Sequence, residues 1–312
     1  MAGCSRDRPL PLPPQEPTLR FAPSPTGELH LGHAASALIN KNIAQKLGGR
    51  LLLRIEDIDL GRRRQEFVNG IYDDLKWLGF IWEEPVLQQS ERLGIYEDYI
   101  IRLRSAGLLY PCFATRKEIQ ETAEKNNSPR DPDGAPVYPK LHKHLNEEEV
   151  TDRMARGEPY ALRIDMEKAI QAAQRIYGQR EMAYMAFDSK GIIRPTRIDP
   201  AKWGDVVLAR KDNGTSYHMA CTIDDALQGV THVIRGKDLE VATDIHRLLQ
   251  ILLQLPSPLY HHHGLIVDQD GRKLSKSAND TSLKYLRENG TTLAELQKKL
   301  DALLRSYSDF EM

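Results

Sequence analysis

Apolar residues along this chain recur at two periods, and the changes of period mark its elements. Thr18 to Phe21, "TLRF", is a short β-prone run leading into the stiff segment "APSPTGELHLGH". From Leu31 to Leu47 small and apolar residues fall at helical spacing, and Gly48-Gly49 end the pattern. "RLLLRI", Arg50 to Ile55, is a short apolar run that ends in the acids of "EDID" and reads as a buried strand. "RQEFVNGIYDDLKWLGF" then has the spacing of an amphipathic helix. Strand, helix, strand, helix predicts a βαβ unit in a parallel sheet, and so an α/β fold. A further helix is expected over Ile95–Ser105, stopped by Gly107.

Between about Tyr110 and Pro195 the texture changes. "NNSPRDPDGAPVYP" is a polar, Pro/Gly-rich loop, and "EEEVTDRMARGEPYALRI" and "KGIIRPTRIDP" give mixed signals. This block reads as an insertion. The α/β pattern resumes with "DVVLAR" as a strand, a turn at Asp212–Gly214 and a helix capped near Ser216 and stopped by Gly229. "HVIRG" follows as a strand, and "DLEVATDIHRLLQILLQL" as a helix ended by Pro256 and Pro258. "HHHG", from His261 to His263, reads as a loop leading into a strand, and a last short helix is expected over Thr292–Leu304. The chain thus divides into an extended, disordered Pro-rich tail (1–17), the first half of a catalytic domain (18–109), an inserted subdomain (110–195), the second half (196–285) and a helical C-terminal segment (286–312).

Composition narrows this picture only slightly. A chain of 312 residues, 40% hydrophobic and 28% charged, suits one large globular domain or two ordinary ones. A net charge of −1 gives no bulk attraction for nucleic acid, so any RNA contact is local or shape-based. Three scattered cysteines, Cys4, Cys112 and Cys221, exclude a disulfide framework and a CxxC zinc pair, and fit a reducing cytoplasm. No apolar run is long enough for a membrane span, and the N-terminus lacks the apolar centre of a signal peptide.

Two motifs carry chemistry. His30 and His33 bracket Leu31-Gly32 at the start of the expected helix, where unpaired N–H groups and the positive dipole end suit phosphate. Imidazole N–H groups there can donate to phosphate oxygens, and Gly32 removes a side chain where a base or phosphate would approach. A lone histidine near a helix start is ordinarily a surface cap; the HxGH spacing after "PSPTG" argues for more. The second motif is "KLSKS", Lys273 to Ser277, after the turn "DQDGR". Alone it is an ordinary basic loop, but its lysines can meet the charge of a leaving pyrophosphate.

HLGH near the start with KLSKS near the end of an α/β chain resembles the class I aminoacyl-tRNA synthetases. That resemblance implies a Rossmann-like catalytic domain that joins an amino-acid carboxylate to the α-phosphate of ATP. The flanks "RFAPSPTGELHLGH", "RIEDID", "YHMACTIDD" and "HVIRGKDL" are similar to the glutamyl branch. By that likeness His30, His33, Lys273 and Lys276 are catalytic. His30, Gly32, His33 and Lys276 bind ATP, which enters with Mg²⁺. Arg20, Phe21, Ala22, Pro23, Ser24, Glu56, Tyr217 and Arg235 bind L-glutamate. Arginine suits a carboxylate and Glu56 an ammonium, but which arginine meets which carboxylate stays open.

The resemblance covers roughly Thr18 to Ser277, and the chain ends soon afterwards, where glutamyl-tRNA synthetases continue into anticodon-binding domains. This shortened form resembles the glutamyl-queuosine tRNA(Asp) synthetases. It implies tRNA-independent glutamate activation, transfer to queuosine in the anticodon of tRNA(Asp), and a cytoplasmic monomer. A minimal enzyme charging tRNA(Glu) and a non-catalytic tRNA-binding paralogue remain alternatives. Some relatives carry a zinc-binding CxC pair with a later tyrosine and cysteine. Here Ala114 replaces the second cysteine, and Cys112, Tyr138 and His142 are too few for a zinc site to be expected. Arg62-Arg63-Arg64 is read as a solvated helix face that would at most touch an RNA backbone.

Overall fold

Side chains alternate across a strand, so "TLRF" sends Leu19 and Phe21 to one face and Thr18 and Arg20 to the other. A computed structural model describes residues 16–178, 181–212, 214–264, 282–305, 310 and 312. In it Thr18–Phe21 is β1, followed by α1 (Leu31–Leu47), β2 (Arg50–Ile55), α2 (Gln65–Trp77) and β3 (Glu83–Gln88). Then come α3 (Leu93–Ser105), β4 (Leu109–Cys112), α4 (Arg116–Lys125), α5 (Glu147–Ala155), β5 (Ala161–Ile164) and α6 (Met166–Tyr177). The hairpin β6 (Ala183–Phe187) and β7 (Ile193–Arg197) precedes β8 (Val207–Ala209), α7 (Tyr217–Leu227) and β9 (His232–Gly236). The chain closes with α8 (Thr243–Leu253), β10 (Leu259–His263), α9 (Leu283–Glu288) and α10 (Leu293–Arg305). Most of the expected Pro-rich tail and all of KLSKS lie outside the described residues.

The main sheet has the order β3-β2-β1-β9-β10-β6-β7. Its strands are parallel except for β7, which runs antiparallel to β6. The chain winds outward from β1 through β2 to β3, then outward the other way from β9 to β10. The order reverses between β1 and β9, and in such doubly wound sheets ligands bind beyond the strand C-termini at that reversal. A second, antiparallel sheet has the order β4-β5-β8.

On one face Leu19, Phe21, Leu53, Ile55 and Ile234 pack with Leu38 and Ile39 of α1, Ile71 and Leu75 of α2, and Leu296 and Leu300 of α10. Each such aliphatic or aromatic side chain contributes about 1.5–3 kcal/mol on burial. Gly49 lets α1 turn back into β2 against the entry to β1: a Cβ there would stand 2.4 Å from the Pro17 carbonyl oxygen. That carbonyl accepts the Arg50 N–H at 2.7 Å. The opposite face is covered by α7 and α8, and there the buried arginines lie.

Three features depart from the sequence reading. His261–His263 belong to β10 itself, a central strand whose neighbours supply the ladder that its poor apolar pattern concealed. The helix expected from Asp238 starts at Thr243, after a 3₁₀ turn over Lys237–Leu239. The β6–β7 hairpin, from the stretch read as inserted, extends the main sheet, whereas β8 pairs with β5 in the smaller one. Among the described residues no helix is long and apolar enough to cross a membrane.

Candidate active site

The loop from β1 to α1 lies at the reversal of strand order. His30 is the N-cap of α1: its Nδ1 accepts the Gly32 N–H at 3.1 Å, and His33 Nδ1 accepts the His30 N–H at 3.1 Å. The two rings stand 4.0 Å apart. Each Nδ1 is an acceptor, so in the neutral ring the proton sits on Nε2. The pair therefore caps the helix through Nδ1, with the N–H on Nε2. Gly32 has a reason of its own, since a Cβ there would come within 2.9 Å of the His30 ring. The chain returns to this point after KLSKS: Ser282 forms a β-bridge with His30, and the Leu283 N–H donates to the Leu29 carbonyl.

Arg20, Arg54 and Arg235 share the opposite face of adjacent strands β1, β2 and β9, and all are buried. Helix α7 meets them with a single stripe, Tyr217, Cys221 and Asp225, spaced i, i+4, i+8. Asp225 Oδ1 accepts from Arg20 Nε at 3.0 Å and from Arg54 Nη1 at 2.7 Å. Arg54 Nη2 also holds Glu56 Oε1 at 3.0 Å. Burial would raise the Asp225 carboxyl, but Arg20 and Arg54 bring it down to about 2. Burial raises Glu56 against the same two cations, and pushes the Cys221 thiol up to about 12. Asp224 points elsewhere and accepts from Gln89, Arg92 and Tyr96, which seats α7 against α3.

Arg235 is held differently. Its Nη1 donates to Tyr217 Oη and His246 Nδ1, each at 3.2 Å, its Nη2 to Thr243 Oγ1 at 2.7 Å, and its Nε to His262 Nε2 at 3.3 Å. The sequence motifs led to Arg20, Glu56, Tyr217 and Arg235, and the geometry places them along one sheet face and α7. Arg54, Asp225, Thr243, His246 and His262 were missed. The signal for Arg54, Asp225 and His246 was present as an arginine inside an apolar strand and an acid and a histidine at apolar helix positions; Thr243 and His262 carried none.

Of the remaining candidates, Phe21 turns its ring into the α1 core, 5.8 Å from Phe80, so only its backbone is near the reversal. Pro23 accepts the Glu56 N–H at 3.0 Å, which fastens the Ala22–Ser24 loop to the end of β2. Lys273 and Lys276 lie outside the described residues. In the Arg62–Arg64 run, Arg62 pairs with Asp59 and Arg63 with Asp57. In β10, His261 and His263 face one side and His262 the other, so the three do not converge on one ion.

Cys112, Tyr138 and His142 are committed to each other and the backbone. The Cys112 thiol donates to Tyr138 Oη at 3.2 Å, which also accepts the His142 N–H at 3.0 Å. His142 Nδ1 accepts the N–H groups of Phe113 and Ala114, both at 3.1 Å. One thiol, one phenol and a histidine whose Nδ1 serves the loop do not fit a four-ligand zinc site. Dialysis against a chelator is therefore expected to leave the melting temperature unchanged, while Cys112→Ala costs about 1 kcal/mol. A chelator-induced fall in melting temperature would contradict this.

The fold is that of a class I aminoacyl-tRNA synthetase catalytic domain. Residues 18–303 match the family described as tRNA synthetases class I (E and Q), catalytic domain, and the chain belongs to that family of ligases. It is 44% identical over 281 residues to a glutamyl-Q tRNA(Asp) synthetase of Rhodobacter capsulatus, covering 89% of this chain and 98% of that one. It is 34% identical over 280 residues to a glutamate–tRNA ligase of Prochlorococcus marinus, covering 88% of this chain and 55% of the relative, about half its length. A crystal structure of a glutamate tRNA ligase from Elizabethkingia meningosepticum in complex with its amino acid superposes with a TM-score of 0.68 at 28% identity. That match covers 88% of this chain and 53% of the other.

Proposed function

We propose that the chain activates L-glutamate with ATP, without tRNA, and transfers it to queuosine in the anticodon of tRNA(Asp). The observation that carries the glutamate reading is the buried Arg235 guanidinium beside Tyr217, with no carboxylate partner among the described residues. In the first step a glutamate carboxylate oxygen attacks the α-phosphorus of ATP. The bond to the bridging oxygen breaks, and pyrophosphate leaves with that electron pair. Mg²⁺ would supply charge neutralisation on the phosphates. His30 and His33 donate through Nε2 to the phosphoryl oxygens, and Gly32 leaves the helix start open for the nucleotide. Glu56 takes the ammonium, and Arg20, Tyr217 and Arg235 take the carboxylates, while Phe21, Ala22, Pro23 and Ser24 contribute the loop between them. Such catalysis is positioning and electrostatics, with no covalent nucleophile.

The acceptor rests on the relative named for glutamyl-Q, matched over nearly its whole length. The reading places the enzyme in the cytoplasm, as a monomer whose site residues all come from one chain. Glutamate-dependent ATP–pyrophosphate exchange is expected with no tRNA present; its absence defeats the proposal. Charging tRNA with labelled glutamate, then digesting it, separates the acceptors. Label on an anticodon fragment supports queuosine. Label on the 3′ adenosine favours charging of tRNA(Glu), the second reading, which the likeness to the glutamate–tRNA ligases supports. Lys273 and Lys276 are assigned to the leaving pyrophosphate and ATP. Lys276→Ala is expected to slow activation by about 10²–10³-fold with glutamate affinity little changed. Equal losses in binding and turnover would contradict that role.

A further inference from the structure

We propose that Thr243, His246 and His262 are positioning residues that surround Arg235 with neutral acceptors, and that this lack of a built-in counter-ion makes the pocket select an amino acid of net negative charge. The inference deepens the glutamate reading and rests on it.

The charges in the site divide into two groups. Arg20 and Arg54 share Asp225, and Arg54 also holds Glu56, so two cations meet two anions. Arg235 is as buried as they are, 5% exposed against 4% and 0%, yet every partner it has is neutral. A guanidinium has five N–H donors and no acceptor. Four of them are used, one on Nε, two on Nη1 and one on Nη2, which leaves one N–H of Nη2 without a partner among the described residues.

The three partners besides Tyr217 are arranged to stay neutral. Arginine only donates, so His246 Nδ1 and His262 Nε2 must both be unprotonated. Thr243 Oγ1 accepts from Arg235 and lies 3.1 Å from His262 Nε2, to which its own proton can go. Burial, and then the Arg235 charge, hold His262 down to about 2 and His246 well below its ordinary value. The guanidinium is thus fixed in direction by hydrogen bonds and left with its full charge. A buried cation in that state is costly until an anion arrives. Glutamate brings net charge −1 and satisfies it. Glutamine, with net charge zero, leaves the balanced group as it was and Arg235 unanswered.

The test installs the missing anion. Thr243→Asp places a carboxylate against Arg235, and Thr243→Asn is its neutral counterpart; both are compared with the unaltered protein by ATP–pyrophosphate exchange with glutamate and with glutamine. Thr243→Asp is expected to raise KM for glutamate about 100-fold, to move KM for ATP less than about 3-fold, and to collapse the preference for glutamate over glutamine. Thr243→Asn is expected to lower kcat/KM up to about tenfold while keeping the preference. If Thr243→Asp does not fold by circular dichroism, His262→Glu against His262→Gln is read in the same way. Preference unchanged in the folded acidic variant overturns the inference while leaving the glutamate reading intact. An unaltered protein with no glutamate-dependent exchange overturns both.

Discussion

Asp225→Ala is expected to lower the free energy of unfolding by about 3–5 kcal/mol and to abolish glutamate-dependent exchange. Arg20 and Arg54 approach the same carboxylate from neighbouring strands, and neither has a solvent route to disperse its charge. Removing that carboxylate leaves two like charges buried side by side, with Glu56, held by Arg54, the one carboxylate still ion-paired to them among the described residues. Breaking a buried pair from one side costs more than the pair itself contributes, because the abandoned charge keeps its desolvation penalty. Asp225→Asn retains two lone-pair acceptors and should recover part of the loss. Urea unfolding at neutral pH measures both. A loss below about 1 kcal/mol for the alanine variant would mean that the arginines find another partner.

Acid is expected to destabilise the fold well above the range in which carboxylates titrate. Burial and then the Arg235 charge lower His218 to about 4 and His262 to about 2, and hold His246 well below its ordinary value. Burial also lowers His232 to about 4. A depressed histidine binds fewer protons folded than unfolded. Its contribution is therefore complete above the unfolded value near 6.5 and is lost as pH falls through the folded value. Each such group adds a slope of about 1.4 kcal/mol per pH unit below 6.5. Asp74, which burial raises to about 6 despite Arg287, pulls the other way below that value, as does Glu56. These four histidines, joined by His142, His261 and His263, which burial also lowers, outnumber the raised acids Glu56, Asp74, Asp133 and Asp244, which leaves a net loss between pH 6.5 and 4.5, and Asp225 joins it below about 3.8. Urea midpoints measured across that interval check the sign. His262→Asn should remove about one proton's slope, and a midpoint flat with pH would exclude buried neutral histidines.

Legibility in the sequence depended on whether an element carried its own signal. α1, β2 and β9 could be delimited closely because helix stops, apolar runs and turns frame them. β3, "EEPVLQ", is a polar edge strand, and β10, "LYHHH", carries histidines where a period would show, so neither announced itself. The same limit applies in the site. Arg20 and Arg235 stand inside family motifs. Asp225 matters through partners 205 and 171 residues away, a pairing no local pattern encodes. The histidines of HLGH could be placed at a helix start from spacing, but which nitrogen carries the proton follows only from the two backbone N–H bonds they accept.

The stripe of Tyr217, Cys221 and Asp225 on α7 ties these contacts to one variable. Each residue of an α-helix advances the side chains by about 100°, so a single-residue insertion between Tyr217 and Cys221 would turn Tyr217 out of line with Cys221 and Asp225. The contact with Arg235 and the clamp on Arg20 and Arg54 could then no longer be made at once. Single substitutions can adjust one contact at a time, but a change of length in α7 cannot. In descendants of this chain, the helix between Ser216 and Gly229 should therefore change in composition far more readily than in number of residues.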